Sequence, residues 1–254
     1  MMDPTIITGL ESKRILVTGA TGEIGTCLVR MLASKGAIIG VHYRNNKKQA
    51  ELLCREIESK GGRCGCFQAD FFSPGGADLV GSFIESFNGI DILVNNAGAI
   101  CKFENFLDLD EVAWSTTFQL NTQAPFFLSQ RAFEWMKKNG GGKIINITSI
   151  AAKYGGSARS LHYGASKAAL EAITIGLAKA GAPYNILVNA VRGGFIDSPA
   201  QQRLKSKKDL KERIKLIPLQ RAGKPEDIAS MVVFLSSKAG NFITGEILAV
   251  AGGD

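Results

Sequence analysis

The stretch Arg14-Ile15-Leu16-Val17-Thr18-Gly19-Ala20-Thr21-Gly22-Glu23-Ile24-Gly25 sets a short apolar, β-favouring run before a glycine-rich turn. An amphipathic stretch, residues 27–35, follows. That order reads as strand, turn and helix. Glycine in such a turn permits positive φ and lets backbone approach a pyrophosphate, and the helix N-terminus offers free N–H groups with a partial positive charge. The turn reads as a dinucleotide cradle; the alternative is a tight strand-to-helix connection that holds no ligand.

Working outward, residues 38–43 form a second apolar run that ends in Arg44-Asn45-Asn46 rather than in an acid. In a doubly wound sheet this strand end faces the adenosine ribose. A carboxylate there would accept from two ribose hydroxyls and repel a 2′-phosphate, whereas Arg44, with Asn45 and Lys47 nearby, suits that phosphate. The residues favour NADP(H) over NAD(H), against the reading that Arg44 only meets water. Residues 49–59 read as a helix stopped by Gly61 and Gly62. Residues 63–69 read as a strand closed by Asp70, near the adenine, and 77–87 as a helix. Residues 91–95 form a strand running into Asn96, Ala97 and Gly98, small enough to let a cofactor pass over the strand end. The alternation predicts an α/β fold, a doubly wound parallel sheet with right-handed crossovers, as one domain over residues 1–254.

In the second half, residues 114–139 carry helical periodicity interrupted at Asn121 and Pro125. A proline removes a backbone donor, and an Asn beside it can satisfy carbonyls or hold water; a purely structural role fits as well. Residues 143–149 form a strand ending at Ser149, and a loop over 150–162 leads to Tyr163-Gly164-Ala165-Ser166-Lys167. Tyr163 and Lys167 then share one helix face. A phenol with a pKa of about 10 is a poor acid at neutral pH, and an ammonium beside it lowers that value, giving a general acid/base. Alone, the spacing equally describes a half-exposed helix face. Residues 186–191 read as a strand, Pro225 opens a helix with acids in its first turn, and residues 246–250 read as the last strand. His162 reads as pocket wall and Cys101 as a packing thiol.

The formal net charge is +7, and the excess gathers at Arg203, Lys205, Lys207, Lys208, Lys211, Arg213 and Lys215, against Asp209 and Glu212. Such a run is either a solvated helix face or a rim for a phosphate-bearing substrate or an acidic carrier protein. No aromatic-basic interleaving accompanies it, which argues against nucleic acid. No apolar run reaches about 18 residues, so no membrane partner is expected and the location reads as cytoplasmic. The five cysteines are odd in number and lack metal-ligand spacing; they read as reduced packing thiols, with no metal.

Taken together and in order, TGATGEIG (18–25), NNAG (95–98), Asn121, ITS (147–149), YGASK (163–167) and PLQRAGKPEDIA (218–229) resemble the short, single-domain form of the short-chain dehydrogenase/reductase family. The likeness covers nearly the whole chain. It implies a Rossmann-type parallel sheet of about seven strands, nicotinamide-dependent oxidoreductase activity and a homotetramer. It also implies that Tyr163 protonates the substrate carbonyl, that Lys167 lowers the phenol's pKa and binds the nicotinamide ribose, and that Ser149 hydrogen-bonds the substrate oxygen. Asn121 would hold a water linking Lys167 to solvent. Thr18, Gly19, Thr21, Glu23, Ile24, Asp70, Phe71, Asn96, Ala97 and Gly98 would line adenosine and pyrophosphate, and Gly194, Ile196 and Ser198 would cover the nicotinamide.

The nearest subfamily likeness is to 3-oxoacyl-(acyl-carrier-protein) reductases, which reduce a 3-keto thioester with NADPH. It extends to sugar, steroid and xenobiotic reductases acting on small ketones, and a non-catalytic NADP-binding sensor or scaffold is the separate alternative. Four positions depart from the short form's pattern. Glu23 stands where a Gly is usual and would repel a pyrophosphate unless turned outward. Gly193-Gly194 replaces Pro-Gly, a looser loop, and Ala180 and Ala251 replace a Glu and an Asp.

Overall fold

The computed structural model describes residues 8–73, 78–101, 103–197 and 207–254. The elements run β1 (Arg14–Val17), α1 (Glu23–Ala33), β2 (Ile38–Tyr43), α2 (Lys47–Ser59), β3 (Arg63–Gln68), α3 (Leu79–Phe87) and β4 (Ile92–Asn95). There follow α4 (Glu111–Phe118), a π-helical turn (Gln119–Gln123), α5 (Ala124–Lys138), β5 (Gly142–Ser149), α6 (Ile150–Tyr154) and α7 (Leu161–Gly181). The chain continues through β6 (Ile186–Gly193), α8 (Lys207–Lys215), α9 (Pro225–Ser236) and β7 (Ile247–Val250). The strands form one seven-stranded sheet in the order β3-β2-β1-β4-β5-β6-β7. Every neighbouring pair is parallel.

Parallel strands are covered on both faces, and these read accordingly: β2 and β4 are buried at every position. Successive residues serve opposite layers. Ile15, Val17, Ile92, Val94, Ile145 and Ile147 pack against α1, α2 and α9, whereas Leu16, Leu93 and Ile144 pack against α3, α5 and α7. A Cβ on Gly40 in β2 would lie 2.5 Å from the Phe83 ring, so a glycine in mid-strand makes room for the largest buried side chain of α3.

The structure departs from expectation where side-chain chemistry overrides periodicity. The helical stretch over 114–139, with its interruption at Asn121 and Pro125, takes the form of two helices joined by the π-helical turn. Pro125 has no N–H to give the carbonyl four residues back, that of Asn121, so regular α-helical bonding fails there. The loop expected over 150–162 contains α6, which Ser149 caps by accepting the Ala151 N–H at 3.2 Å. Helix α2 starts at Lys47 because Asn46 caps it, and β6 runs on to Gly193. Among the described residues no helix is long and apolar enough to cross a membrane, and no group of three potential ligands could hold a metal ion.

Candidate active site

Strand order reverses between β1 and β4, and a ligand crevice is expected outside their carboxyl ends. There the two strand ends brace each other. Thr18 Oγ1 accepts the Asn96 and Ala97 N–H groups at 3.0 and 2.9 Å, and Asn96 Nδ2 donates to the carbonyls of Thr18 and Gly19 at 2.9 and 3.1 Å. Thr18 and Asn96 thus hold the glycine turn against β4. Gly19 has φ +61, and a Cβ on it would lie 2.8 Å from Ala97 Cα; one on Gly25 would lie 2.3 Å from the Gly19 carbonyl. Those two positions require glycine. Gly22 does not, its Cβ meeting only one atom, at 3.4 Å. The spelling with Glu23 therefore leaves the turn intact. Glu23 begins α1, is exposed, and lines the cleft.

His42, which sequence reading passed over, sits beneath this turn. Its Nδ1 accepts the Gly19 N–H at 2.9 Å, so the proton is on Nε2, which donates to the Ala69 carbonyl at 3.1 Å. The ring stacks on Phe71 with centroids 4.7 Å apart. Burial pushes the imidazole down to about 4, so it is neutral near pH 7. The signal in the sequence was a polar residue in a strand otherwise buried at every position.

At the end of β2, Arg44, Asn45 and Asn46 line the cleft, with the Arg44 guanidinium 5.5 Å from the centroid of the Phe72 ring. Lys47 turns to Glu51 at 3.8 Å instead. Asp70 does not join the lining as expected: its carboxylate accepts the Phe72 N–H at 3.1 Å, which folds the chain so that Ala69, Phe71 and Phe72 form the wall.

At the other end, the π-helical turn reaches three elements. Gln119 Nε2 donates to the Phe71 carbonyl at 3.0 Å, and Thr122 Oγ1 to the Ser166 carbonyl at 2.8 Å. The Asn121 amide exchanges two hydrogen bonds with the backbone of Ala99, at 3.2 and 2.9 Å, and donates to the Thr117 carbonyl. Its side chain thus satisfies carbonyls, one of the two readings of this residue, and is fully buried. Lys167 Nζ donates to the Ile147 carbonyl at 2.9 Å. A Cβ on Gly98 would lie 2.9 Å from Asn121 Oδ1 and 3.1 Å from Lys167 Nζ, so a glycine there lets the two converge. Ser149, Tyr163 and Lys167 all line the cleft.

The electrostatics differ from expectation. Burial raises the Tyr163 phenol above its ordinary value, partly offset by its hydrogen bond with Ser149, and Lys167 is not what lowers it. Burial pushes Lys167 itself down to about 8. The ammonium spends its hydrogen bond on Ile147, and the low-dielectric surroundings disfavour both charges.

Behind the site, Arg192 forks onto Glu171 at 2.8 and 2.6 Å, and Thr148 Oγ1 donates to the same carboxylate at 2.9 Å. These residues neighbour Ser149 on β5, Gly193 on β6 and, one helical turn along α7, Lys167. Gly194 and Ile196 line the cleft; a Cβ on Gly194 would lie 2.6 Å from Ala251 Cα, so that position is confined rather than loose. Ser198, Arg203 and Lys205 lie outside the described residues. The basic run is partly neutralised: Arg213 pairs with Asp254 and Lys215 with Glu212. His162 is buried against Phe103, off the cleft, and Cys101 is exposed rather than packed.

Together the lining encloses about 1390 Å³, from the glycine turn to Tyr154 and Phe195. Close backbone at Gly19, an α1 N-terminus without a side-chain cap, and a guanidinium at the β2 end fit a dinucleotide. A family model described as enoyl-(acyl carrier protein) reductase matches residues 19–254. A 3-oxoacyl-(acyl-carrier-protein) reductase FabG from Chlamydia pneumoniae is 35% identical over 254 residues, 99% of each chain. The chain belongs to the short-chain dehydrogenase/reductase family. Another relative of this dehydrogenase/reductase is an L-rhamnose 1-dehydrogenase (NAD(P)(+)) from Azotobacter vinelandii, 36% identical, covering 96% of this chain and 97% of the relative. The crystal structure of a short-chain dehydrogenase from Burkholderia cenocepacia in complex with NADP superposes with a TM-score of 0.89 at 33% identity, covering 96% and 98% of the two chains. This short-chain dehydrogenase/reductase is an NAD(P)-dependent oxidoreductase.

Proposed function

We propose that the protein is an NADPH-dependent reductase that converts a ketone into a secondary alcohol, with 3-oxoacyl thioesters as the leading substrate class. The observation that carries this reading is the convergence of Ser149, Tyr163 and Lys167 at one end of a cleft whose other end presents the glycine turn and Arg44. When bound, NADPH supplies the hydride that the carbonyl carbon receives. The Tyr163 hydroxyl, protonated at neutral pH like any phenol and held further that way by burial, gives its proton to the carbonyl oxygen. Ser149 donates a hydrogen bond to the same oxygen while its own oxygen stays anchored by the Ala151 N–H. Lys167 holds positive charge beside the phenol below about pH 8 and binds the nicotinamide ribose. A proton relay through Asn121 would use its main-chain carbonyl, which Pro125 deprives of a helical donor.

Arg44 supports NADP(H) over NAD(H), since a guanidinium pairs with a 2′-phosphate and the β2 end offers no carboxylate. The likeness to 3-oxoacyl-(acyl-carrier-protein) reductases supports a carrier-linked thioester, while Arg159 and Arg213 on the cleft wall are already paired, with Glu104 and Asp254. The whole chain acts as one domain in a cytoplasmic homotetramer; the exposed Val112, Trp114, Phe127 and Ile175 on α4, α5 and α7 support burial of those helices against other copies. The test follows NADPH and NADH oxidation against 3-oxoacyl thioesters, sugars, steroids and quinones. Turnover of a thioester with NADPH is expected. Turnover of sugars alone would reassign the substrate, and tight NADPH binding with no turnover across the panel would overturn the reductase reading.

A further inference from the structure

Three thiols meet at the edge of the sheet. Cys64 and Cys66 are two residues apart on the edge strand β3 and so face the same way, and Cys54 approaches them from α2. The Cys66 Sγ lies 3.1 Å from the Cys54 Sγ. Cys54 is buried, Cys64 half-buried and Cys66 exposed, and all are free thiols. We propose that Cys54 and Cys66 form a reversible disulfide when the protein meets a peroxide, stapling α2 to β3 at a modification site separate from the cofactor cleft.

The geometry assigns the roles. Exposed Cys66 meets the oxidant: its thiolate attacks the peroxide O–O bond, takes one oxygen as a sulfenic acid and releases water or an alcohol. Buried Cys54 then attacks that sulfur; the S–S bond forms and the S–O bond breaks, and the hydroxide leaves with the thiol proton as a second water. Two thiols lose two electrons in all and the peroxide gains them. Bond formation brings the sulfurs to about 2.05 Å, a closing movement of roughly 1 Å. Cys64 is the competing partner for Cys54, but it is not the exposed member of the trio. Burial, Cys54 and the nearby Glu51 and Glu58 hold the Cys66 thiol up at about 12, so thiolate is scarce and closure is slow. None of the three lines the cleft, so turnover survives closure.

The test uses the full chain with Cys101→Ser, which removes the other exposed thiol and leaves four of the five cysteines. After excess hydrogen peroxide at mildly alkaline pH and alkylation, denatured protein is expected to show two free thiols instead of four, with a peptide cross-link between positions 54 and 66. Dithiothreitol should remove the cross-link, Cys66→Ser should prevent it, and Cys64→Ser should leave it in place. Because the bridge constrains the unfolded chain over residues 54–66, Tm should rise by about 3 °C or more. Sulfinic or sulfonic acid on Cys66 without a cross-link, a bridge only to Cys64, or an unchanged thiol count would each overturn the proposal. Should Cys66→Ser fold poorly, the cross-link map of the Cys101→Ser protein decides alone.

Discussion

The Nδ1 of His42 accepts the Gly19 N–H at 2.9 Å while its Nε2 donates to the Ala69 carbonyl at 3.1 Å, so one neutral ring ties the glycine turn to the end of β3. Gly19 sits at φ +61, and this bond holds its amide in that geometry. His42→Phe would keep a ring beside Phe71 but strand both backbone groups. We expect it to lower stability by about 2–4 kcal/mol in urea unfolding and to raise the KM for NADPH more than it lowers kcat. An unchanged KM would show that the turn does not need the clamp.

The same ring gives an acid signature. Its folded pKa, about 4, lies below the unfolded value of 6.5, so between those values the unfolded chain binds a proton that the folded chain refuses. The imidazole's contribution is complete above pH 6.5 and is lost as pH falls through 4, a change of about 3 kcal/mol. The stability gap between wild type and His42→Phe should therefore shrink over pH 6.5 to 4. A constant gap would contradict a buried neutral histidine.

Lys167 sets an alkaline limit. Its folded pKa is about 8 and the free side chain's 10.5, so the ammonium is lost well before the raised phenol of Tyr163 ionises. For ketone reduction, kcat/KM for NADPH, which reports free-enzyme groups, should fall through an apparent value near 8. Lys167→Arg, to the extent that it retains activity, should move that limb upward by at least a unit, because a guanidinium stays charged. A limb that stays put would assign it to another group.

Glu171 is a positioning residue. Its carboxylate takes two bonds from Arg192 and one from Thr148, immediately behind Ser149 and one turn from Lys167. Glu171→Gln leaves Arg192, whose side chain is about one-fifth exposed, with an incomplete partner. Stability should drop by about 2–3 kcal/mol, discounted from a fully buried pair. The kcat should fall with little change in the KM for NADPH, and pairing Glu171→Leu with Arg192→Met should recover most of the stability. Equal losses in kcat and NADPH affinity would point to general unfolding instead.

Arg44→Asp tests the reading of the adenosine end. Loss of charge-assisted bonds to a 2′-phosphate, each about 1.5–3 kcal/mol, should lower kcat/KM with NADPH by roughly 10- to 100-fold and raise it with NADH. An unaltered ratio would place phosphate recognition elsewhere.

Much of this architecture was legible in the sequence because its signals are local. The strand-turn-helix at Arg14 to Gly25 and the apolar runs alternating with helices dictate a parallel sheet, and the seven strands appear in that form. Tyr163, Lys167, Ser149 and the glycine turn reach one cleft because strand ends and the α7 N-terminus share one edge of the sheet. What sequence could not supply were contacts made across it. His42 meets Gly19 and Ala69 through pairing of β2 with its neighbours. Asn121 spends its amide on Ala99, the Asp70 carboxylate accepts the Phe72 N–H, and the Tyr163 pKa follows burial rather than its neighbour on the helix. Each depends on where a side chain finds a partner, which spacing along one element does not encode.

The most direct measurement pairs single-turnover oxidation of NADPH with NADPH binding in Tyr163→Phe, with the ketone or thioester that the wild type reduces. Removing only the transferable proton should slow turnover by about 10²- to 10⁴-fold and leave the NADPH Kd within about twofold. Turnover close to that of the wild type would contradict the assignment of Tyr163 as the proton donor.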